Sequence, residues 1–270
     1  MYHEGHKISV LCITMTHQLQ LASLNSGSNG NCYYIGNETE AVLIDAGISC
    51  RETVRRLDRL GLSIEKVKGI FITHEHTDHT RGVQVLSKKH GIPVFITPDT
   101  HKAGRLMIDL RHLNHFMAHQ PIAIGDLLVH PLPKLHDGVD PHSFTVTFND
   151  LTVGVFTDIG AACEHVVRHL RKCHAAFLEA NYDAVMLDSG NYPLQLKRRI
   201  RGGKGHLSNK QALDIFTSFR SPDMKLLVLS HLSEHNNHPE IVRSLFSPYG
   251  SNGTRIEIAS RHQESEVFVI

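Results

Sequence analysis

An α/β domain is what this sequence predicts. Short apolar runs rich in β-formers alternate with amphipathic helical stretches, two adjacent runs are joined by the tight turn Asn149-Asp150, and no low-complexity linker or fixed-period repeat divides the chain. Mixed hairpins and strand-helix units point to α/β layers rather than a purely parallel sheet. A length of 270 residues with 41% hydrophobic content suffices for one continuous core. With 28 Lys+Arg against 27 Asp+Glu, a histone-like or tail-driven polyanion binder is excluded, so any polyanion must be met by a local patch. No apolar run approaches the ~18 residues that cross a bilayer.

The elements follow in order. Residues 1–17 read as a loosely attached leader without a convincing secretory signal, and 18–270 as the folded domain. Strands are expected at Leu19 to Leu24, Asn31 to Ile35 and Ala41 to Asp45, the first two separated by the turn signal Ser-Gly-Ser-Asn-Gly. An amphipathic helix over Arg51 to Leu60 stops at Gly61, and Gly69 to Thr73 reads as a buried strand. A histidine-rich loop comes next. Helices are then expected at Thr80 to His90 and Lys102 to Leu110, around a strand at Val94 to Thr97. Further strands fall near Leu127 to His130, Phe144 to Phe148, Leu151 to Thr157, Ala176 to Glu179 and Leu226 to Ser230. Helices fall near Cys163 to His169, Ser208 to Phe219 and Pro239 to Leu245. Five cysteines, odd in number and without C-x-x-C spacing, indicate neither a disulfide framework nor a thiolate zinc site, and suit a reducing cytoplasm.

The compositional outlier is histidine, at 22 residues. The sharpest pattern is Thr73-His74-Glu75-His76-Thr77-Asp78-His79, where an apolar strand ends and a helix is about to start. Alternating His74 and His76 point the same way from an extended backbone, while Asp78 and His79 on the following turn reach a second position. That is local geometry for two adjacent metals, an arrangement suited to hydrolysis because the ions orient substrate and lower the pKa of a shared water. The bland alternative is a polar surface loop. Two other histidine sets, His112/His115/His119 and His165/His169, have helical spacing but no accompanying glutamate, and read as exposed helix faces.

The H-x-H-x-D-H run after a buried strand resembles the metallo-β-lactamase-fold superfamily, which implies a four-layer αββα sandwich with metals at one edge. The resemblance further implies ligands at later strand ends: His136 in His-Asp-Gly, Asp158 in Phe-Thr-Asp-Ile-Gly, and His231 in Ser-His-Leu-Ser. His74, His76 and His136 would share one ion and Asp78, His79 and His231 the other, with Asp158 between them. Local alternatives stay open: His130 and His142 compete with His136, Asp158 could be a helix N-cap, and His231 a structural strand cap. Asp45, closing Ala41-Val-Leu-Ile-Asp-Ala-Gly, matches an early aspartate that supports the metal loops, or is simply a turn aspartate.

Several segments together are similar to the YycJ (WalJ) branch of that superfamily: Ser23-Leu-Asn-Ser-Gly-Ser-Asn-Gly-Asn-Cys, Leu178-Glu-Ala-Asn-Tyr-Asp, Asn191-Tyr-Pro, Arg201-Gly-Gly-Lys-Gly-His-Leu-Ser-Asn and Ser230-His-Leu-Ser-Glu with Asn236-Asn237. This resemblance runs from about Gln20 to the C-terminus. It implies a dinuclear phosphodiesterase, a 5′-to-3′ exonuclease on DNA with no organic cofactor, in which Asp78 and Asp158 would be hydrogen-bond or proton partners of the attacking hydroxide; the all His/Asp donor set accepts two zinc or manganese ions, with iron an alternative. By similarity to tRNA 3′-processing enzymes, His206 would pair with Glu179 beside the scissile phosphate, where an imidazolium stabilises charge or protonates the leaving oxygen. Lys197, Arg198, Arg199, Arg201 and Lys204 form a basic run just upstream, read either as a solvated helix face or as a contact to nucleic-acid phosphates. The Ser26 to Asn31 loop is a hairpin turn or a phosphate cradle. Only 73 residues separate Asp158 from His231, too few for the inserted domain of the β-CASP nucleases, and 22 separate His136 from Asp158, too few for a tRNA-binding arm. Competing readings are a phosphodiesterase on a small cyclic or nucleotide substrate, a thioester or lactone hydrolase, and a non-catalytic metal-binding regulator.

Overall fold

The computed structural model describes residues 18–270, so the expected leader lies outside the described residues. The first sheet comprises β1 (Gln20–Asn25), β2 (Cys32–Gly36), β3 (Ala41–Ile44), β4 (Val67–Phe71), β5 (Val94–Ile96) and β6 (Leu113–His115). The second comprises β7 (Ile122–Ile124), β8 (Leu127–Pro133), β9 (His142–Phe148), β10 (Leu151–Phe156), β11 (Ala175–Glu179), β12 (Leu226–Ser230) and β13 (Arg255–Ile258), and β14 (Phe268–Val269) returns to pair with β1. Each sheet thus has seven strands among the described residues. Strands β1 to β3 run antiparallel and β3 to β6 parallel; β8 to β10 likewise run antiparallel and β10 to β13 parallel.

Three apolar clusters show the layering. One fills the space between the sheets, with Tyr33, Phe71, Phe144, Val155 and Phe177 fully or almost fully buried. A second packs the outer face of the first sheet against α1 (Cys50–Arg59), through Leu57, and α3 (Val83–His90), through Val83 and Leu86. The third packs the other outer face against α5 (Glu164–Leu170), α8 (Asn209–Phe219) and α9 (Pro239–Phe246), through Val166, Phe216 and Phe246. The result is the four-layer αββα sandwich. Each sheet being covered on both faces explains why several strands, such as β3 and β12, are buried at every position rather than at alternate ones.

Two expected helices change. The stretch from Thr80 to His90 divides into a short turn α2 (Thr77–Thr80) and α3, because Gly82 passes so close to the Ile48 carbonyl that a Cβ there would lie 2.0 Å from its oxygen. The helix expected over Lys102 to Leu110 instead lies at α4 (Pro98–Gly104): the Thr97 side chain caps Thr100, Pro98 pre-sets the first turn, and Arg105 at φ +48° ends it. His112, His115 and His119 are consequently not on a helix; His115 ends β6, which pairs with β5, and His119 sits in a turn at φ +64°. His165 does lie on α5. Among the described residues no helix is long and apolar enough to cross a membrane.

Candidate metal centre

The site forms where strands of both sheets end along one edge. The loop after β4 carries His74 and His76, and α2 carries Asp78 and His79. Strands β8, β10, β11 and β12 end near His136, Asp158, Glu179 and His231. The predicted residues therefore converge from six segments of chain. Possible ligand atoms cluster in overlapping groups: His74, His76 and His136; Asp78, His79 and His231; His74, His79 and Asp158; and Asp158, Glu179, His206 and His231.

Backbone geometry sets these positions. Asp45, Asp158 and His231, each just beyond a strand, adopt φ of +62°, +55° and +56°, a left-handed conformation uncommon for non-glycine residues. Such strain persists only where surroundings over-determine it, and it concentrates at functional sites. Gly47 locks the histidine loop from below: a Cβ there would fall 1.6 Å from the Asp78 carbonyl oxygen, so only glycine admits this approach. The Asn31 N–H donates to that same carbonyl (2.7 Å), and the Gly47 N–H donates to the Asn31 carbonyl (2.8 Å). The Ser26 to Asn31 turn is thereby a wall of the histidine loop, with the N–H groups of Ser26, Gly27, Gly30 and Asn31 all donated within the protein.

Asp45 acts through His79. Its Oδ1 accepts from the Thr73 N–H (2.8 Å), and its Oδ2 accepts from Thr73 Oγ1 (2.8 Å) and His79 Nδ1 (2.6 Å). A carboxylate holding Nδ1–H fixes the tautomer and leaves Nε2 with a lone pair for a cation. Glu179 does the same on the opposite side: Oε1 lies 2.8 Å from His206 Nδ1 and 3.1 Å from His231 Nδ1, while Oε2 accepts the Ile159 and Leu207 N–H groups at 2.9 and 3.0 Å. The expected pairing of His206 with Glu179 is present, and Glu179 additionally orients His231. The His206 ring lies 5.3 Å, centroid to centroid, from both His136 and His231.

The charges ask for a cation. Asp45, Asp158 and Glu179 are all fully or almost fully buried. Burial drives the His79 imidazole toward neutrality, but the carboxylates of Asp158, Asp45 and Asp78 outweigh it and hold its pKa well above the usual histidine range. Burial likewise opposes charge on His231, yet Asp158, Asp78 and Glu179 push it up to about 10. The Asp158 carboxyl, raised by burial but faced by His231 and His79, is held well below the usual carboxylate range. His74, in contrast, is driven down by burial, and His136 falls to about 4 for the same reason. His74 and His136 therefore offer neutral imidazoles, whereas His79 and His231 keep protons only to balance carboxylates, and a divalent cation would displace those protons. His136 Nε2, His231 Nε2 and Asp158 Oδ2 are buried side-chain atoms with no hydrogen-bond partner, all on proposed ligands. Unpaired polar atoms are costly in a protein interior, so their convergence fits divalent metal binding.

Of the competitors, His130 lies on β8 away from these groups, and His142 Nδ1 donates to the Asp140 carbonyl (2.9 Å). The basic run lies on α7 (Leu194–Arg201) and the following turn. Arg199 Nε donates to Asp137 Oδ2 (2.6 Å), whose Oδ1 lies 3.2 Å from His136 Nε2 and 3.8 Å from His76 Nε2. Arg201 pairs with Asp188 instead. The Lys204 backbone packs against Gly160, two residues past Asp158. Sequence reading missed Lys134 and Asp137. Lys134, only 5% exposed, donates Nζ to the Thr157 carbonyl (2.8 Å) and lies in the field of Asp158, Asp45 and Glu179. A lone lysine at a strand end carries no signal of that burial, whereas Asp137 was visible as the residue after His136.

Comparison with known proteins agrees with this geometry. The model of the metallo-beta-lactamase superfamily matches residues 26–185. Exodeoxyribonuclease YycJ of Bacillus anthracis is 32% identical over 230 residues, covering 83% of this chain and 86% of that protein. Exodeoxyribonuclease WalJ of Streptococcus pneumoniae is 30% identical over 225 residues, covering 81% and 83%. The crystal structure of the metallo-beta-lactamase fold protein YhfI from Bacillus subtilis superposes with a TM-score of 0.71 over 94% of this chain and 99% of that one, at 17% identity, a likeness of fold alone. The chain belongs to the metallo-beta-lactamase superfamily, in the family of YycJ and WalJ.

Proposed function

We propose that this superfamily member is a dinuclear metal-dependent phosphodiesterase, a 5′-to-3′ exonuclease on DNA. The observation that carries the reaction class is the coexistence of two ligand sets joined by Asp158 with a separate His206-Glu179 pair beside them. The substrate rests on similarity to two proteins named exodeoxyribonucleases along most of their length. His74, His76 and His136 would hold one ion, and Asp78, His79 and His231 the second. Asp158 would reach both, since its Oδ2 lies 3.2 Å from His79 Nε2 and its Oδ1 3.8 Å from His136 Nε2. The all-nitrogen-and-oxygen donor set suits zinc, manganese or iron. Divalent ions bound there supply Lewis acidity at the phosphoryl oxygens and acidify water for the attack.

The chain's own groups supply the rest. With Nδ1–H given to Glu179, His206 holds its transferable proton at Nε2, and the Glu179 carboxylate stabilises the imidazolium until that proton passes to the departing oxygen. The His206 side chain, 21% exposed, is the most open of the group it forms with Asp158, Glu179 and His231, as a residue that meets substrate must be. Arg198 and Lys204 supply positive charge where a nucleic-acid backbone would approach, and Arg199, held by Asp137, borders the ligands themselves.

The test is digestion of end-labelled single- and double-stranded DNA by metal-stripped protein resupplied with Mn²⁺ or Zn²⁺. Metal-dependent release of mononucleotides from the 5′ end is expected. Hydrolysis of bis(p-nitrophenyl) phosphate with every DNA left intact would overturn the DNA assignment in favour of a small phosphodiester.

A further inference from the structure

Beyond the second ligand set lies a cavity of about 430 Å³ that the catalytic scheme does not use. It starts where β12 and β13 end. Its wall includes Ser26, Leu232, Ser233, Arg243 and Arg261. Ser26 ties it to the metal centre, because Ser26 Oγ accepts the backbone N–H of His231 (2.7 Å). The cavity and the proposed ion site therefore share one wall, on the side of His231, whereas the basic helix α7 approaches from the side of His136 through Asp137.

Arg261 is the feature that needs an occupant. Its side chain is only 15% exposed, and Nη2 pairs with Glu234 Oε2 (3.0 Å), yet Nη1 is buried without a hydrogen-bond partner. A buried guanidinium donor left unpaired is costly unless a ligand meets it. The loop that carries it is held rigidly: the Asn29 side chain donates to the Arg261 carbonyl (2.8 Å), and Arg56 Nη2 donates to the His262 carbonyl (3.1 Å). Arg243 adds positive charge around the same space, and His238 and His262 line it as well. Glu234 is spent on Arg261, and Glu240 lies 3.6 Å from Arg243 Nε. Ile258, Ala259 and Leu232 provide an apolar floor. An anionic group with an attached flat apolar body matches that lining, and the volume suits one nucleotide.

We infer that this cavity is the subsite for the terminal nucleotide of the DNA strand, with Arg261 binding its 5′-phosphate. This rests on the exonuclease reading above and deepens it. A strand laid from α7 across the ligands would bring its terminal nucleotide to this pocket, beside Ser26 and Arg261. End preference would then follow from recognition of the terminal phosphate by Arg261 rather than from the metal chemistry.

Two measurements test it separately from the DNA assignment. The first compares kcat/KM on oligodeoxynucleotides ending in 5′-phosphate or 5′-hydroxyl, for wild type, Arg261→Ala and Arg261→Lys. A preference for the phosphate of tenfold or more is expected in wild type, collapsing toward one in Arg261→Ala and partly restored in Arg261→Lys. The second titrates deoxyadenosine 5′-monophosphate and deoxyadenosine into the metal-free proteins by calorimetry, with thermal melts to establish folding. Wild type should bind the monophosphate at least tenfold more tightly than the nucleoside, and folded Arg261→Ala should not. If no DNA is digested but this binding difference holds, the pocket stands and the exonuclease reading falls. Equal affinity for the two ligands in wild type, or a phosphate preference unchanged in Arg261→Ala, overturns the pocket.

Discussion

Asp45 and Asp158 occupy matching places in the two halves of the molecule and do different work. Each follows the last antiparallel strand before the parallel part of its sheet, each sits at positive φ, and each opens an Asp-x-Gly turn, Asp45-Ala46-Gly47 and Asp158-Ile159-Gly160. In both turns the glycine lies under a neighbouring backbone: a Cβ on Gly47 would meet the Asp78 carbonyl at 1.6 Å, and one on Gly160 the Gly203 carbonyl at 2.4 Å. The difference is reach. Asp45 directly follows Ile44, the last residue of β3, and its carboxylate is consumed by Thr73 and His79. Asp158 stands two residues beyond Phe156, the end of β10, and its oxygens face His79 Nε2 and His231 Nδ1, each at 3.2 Å, on residues of the proposed ligand set. One added residue separates a carboxylate bonded to the proposed ligand His79 from one that, on the proposed scheme, would itself reach the ions.

Substitutions at these matched places break or sharpen the contrast. The largest effect is expected for Asp158→Ala, which removes the group proposed to be shared by both ligand sets: turnover should fall to background, together with loss of metal by elemental analysis. His76→Ala should behave similarly, because it removes one of three ligands of the first set. Next comes His206→Ala, which should keep its metal and lose about 10²- to 10⁴-fold in kcat, the range for a general acid. A full complement of metal with unchanged kcat would take His206 out of the mechanism. Asp45→Asn keeps the shape but loses the charge that holds His79 Nδ1–H, and should weaken metal affinity by about 10- to 100-fold. Saturating metal should then restore activity, as it should not for Asp158→Ala. Smallest is the double substitution Arg198→Ala with Lys204→Ala, expected to lower the slope of log affinity for DNA against log salt by about two while leaving cleavage of bis(p-nitrophenyl) phosphate intact.

The same contrast explains what could be read from the sequence. His74, His76, Asp78 and His79 are contiguous, so one short string discloses that half of the site. His136, Asp158, Glu179 and His231 come singly from the ends of four strands; their order along the chain and the resemblance identified them, while local context left His130 and His142 as rivals. Ten strands were legible from their apolar runs, whereas the short β6, β7, β13 and β14 were not, and α8 was legible because Ser208 and Gln211 form a capping box. The helix at Pro98 was displaced in the reading because the apolar residues after Arg105, such as Leu106 and Ile108, belong to the outer core without being helical. Lys134 and Arg261 were invisible for another reason: charged residues in unremarkable segments become informative only when the fold buries them, and burial is a property of distant neighbours. The matched Asp-x-Gly turns carry no sequence signal of their kinship, since the flanking strands share topology but no repeated sequence.

The central claim is that the edge of this sandwich holds two divalent ions bridged by Asp158. Calorimetric titration of metal-stripped protein with Mn²⁺, checked by elemental analysis after desalting, tests it most directly. Two equivalents per chain are predicted for wild type and for Asp45→Asn at saturation, with neither set retaining its affinity in Asp158→Ala. A single equivalent in wild type, or two equivalents bound by Asp158→Ala with wild-type affinity, would contradict it.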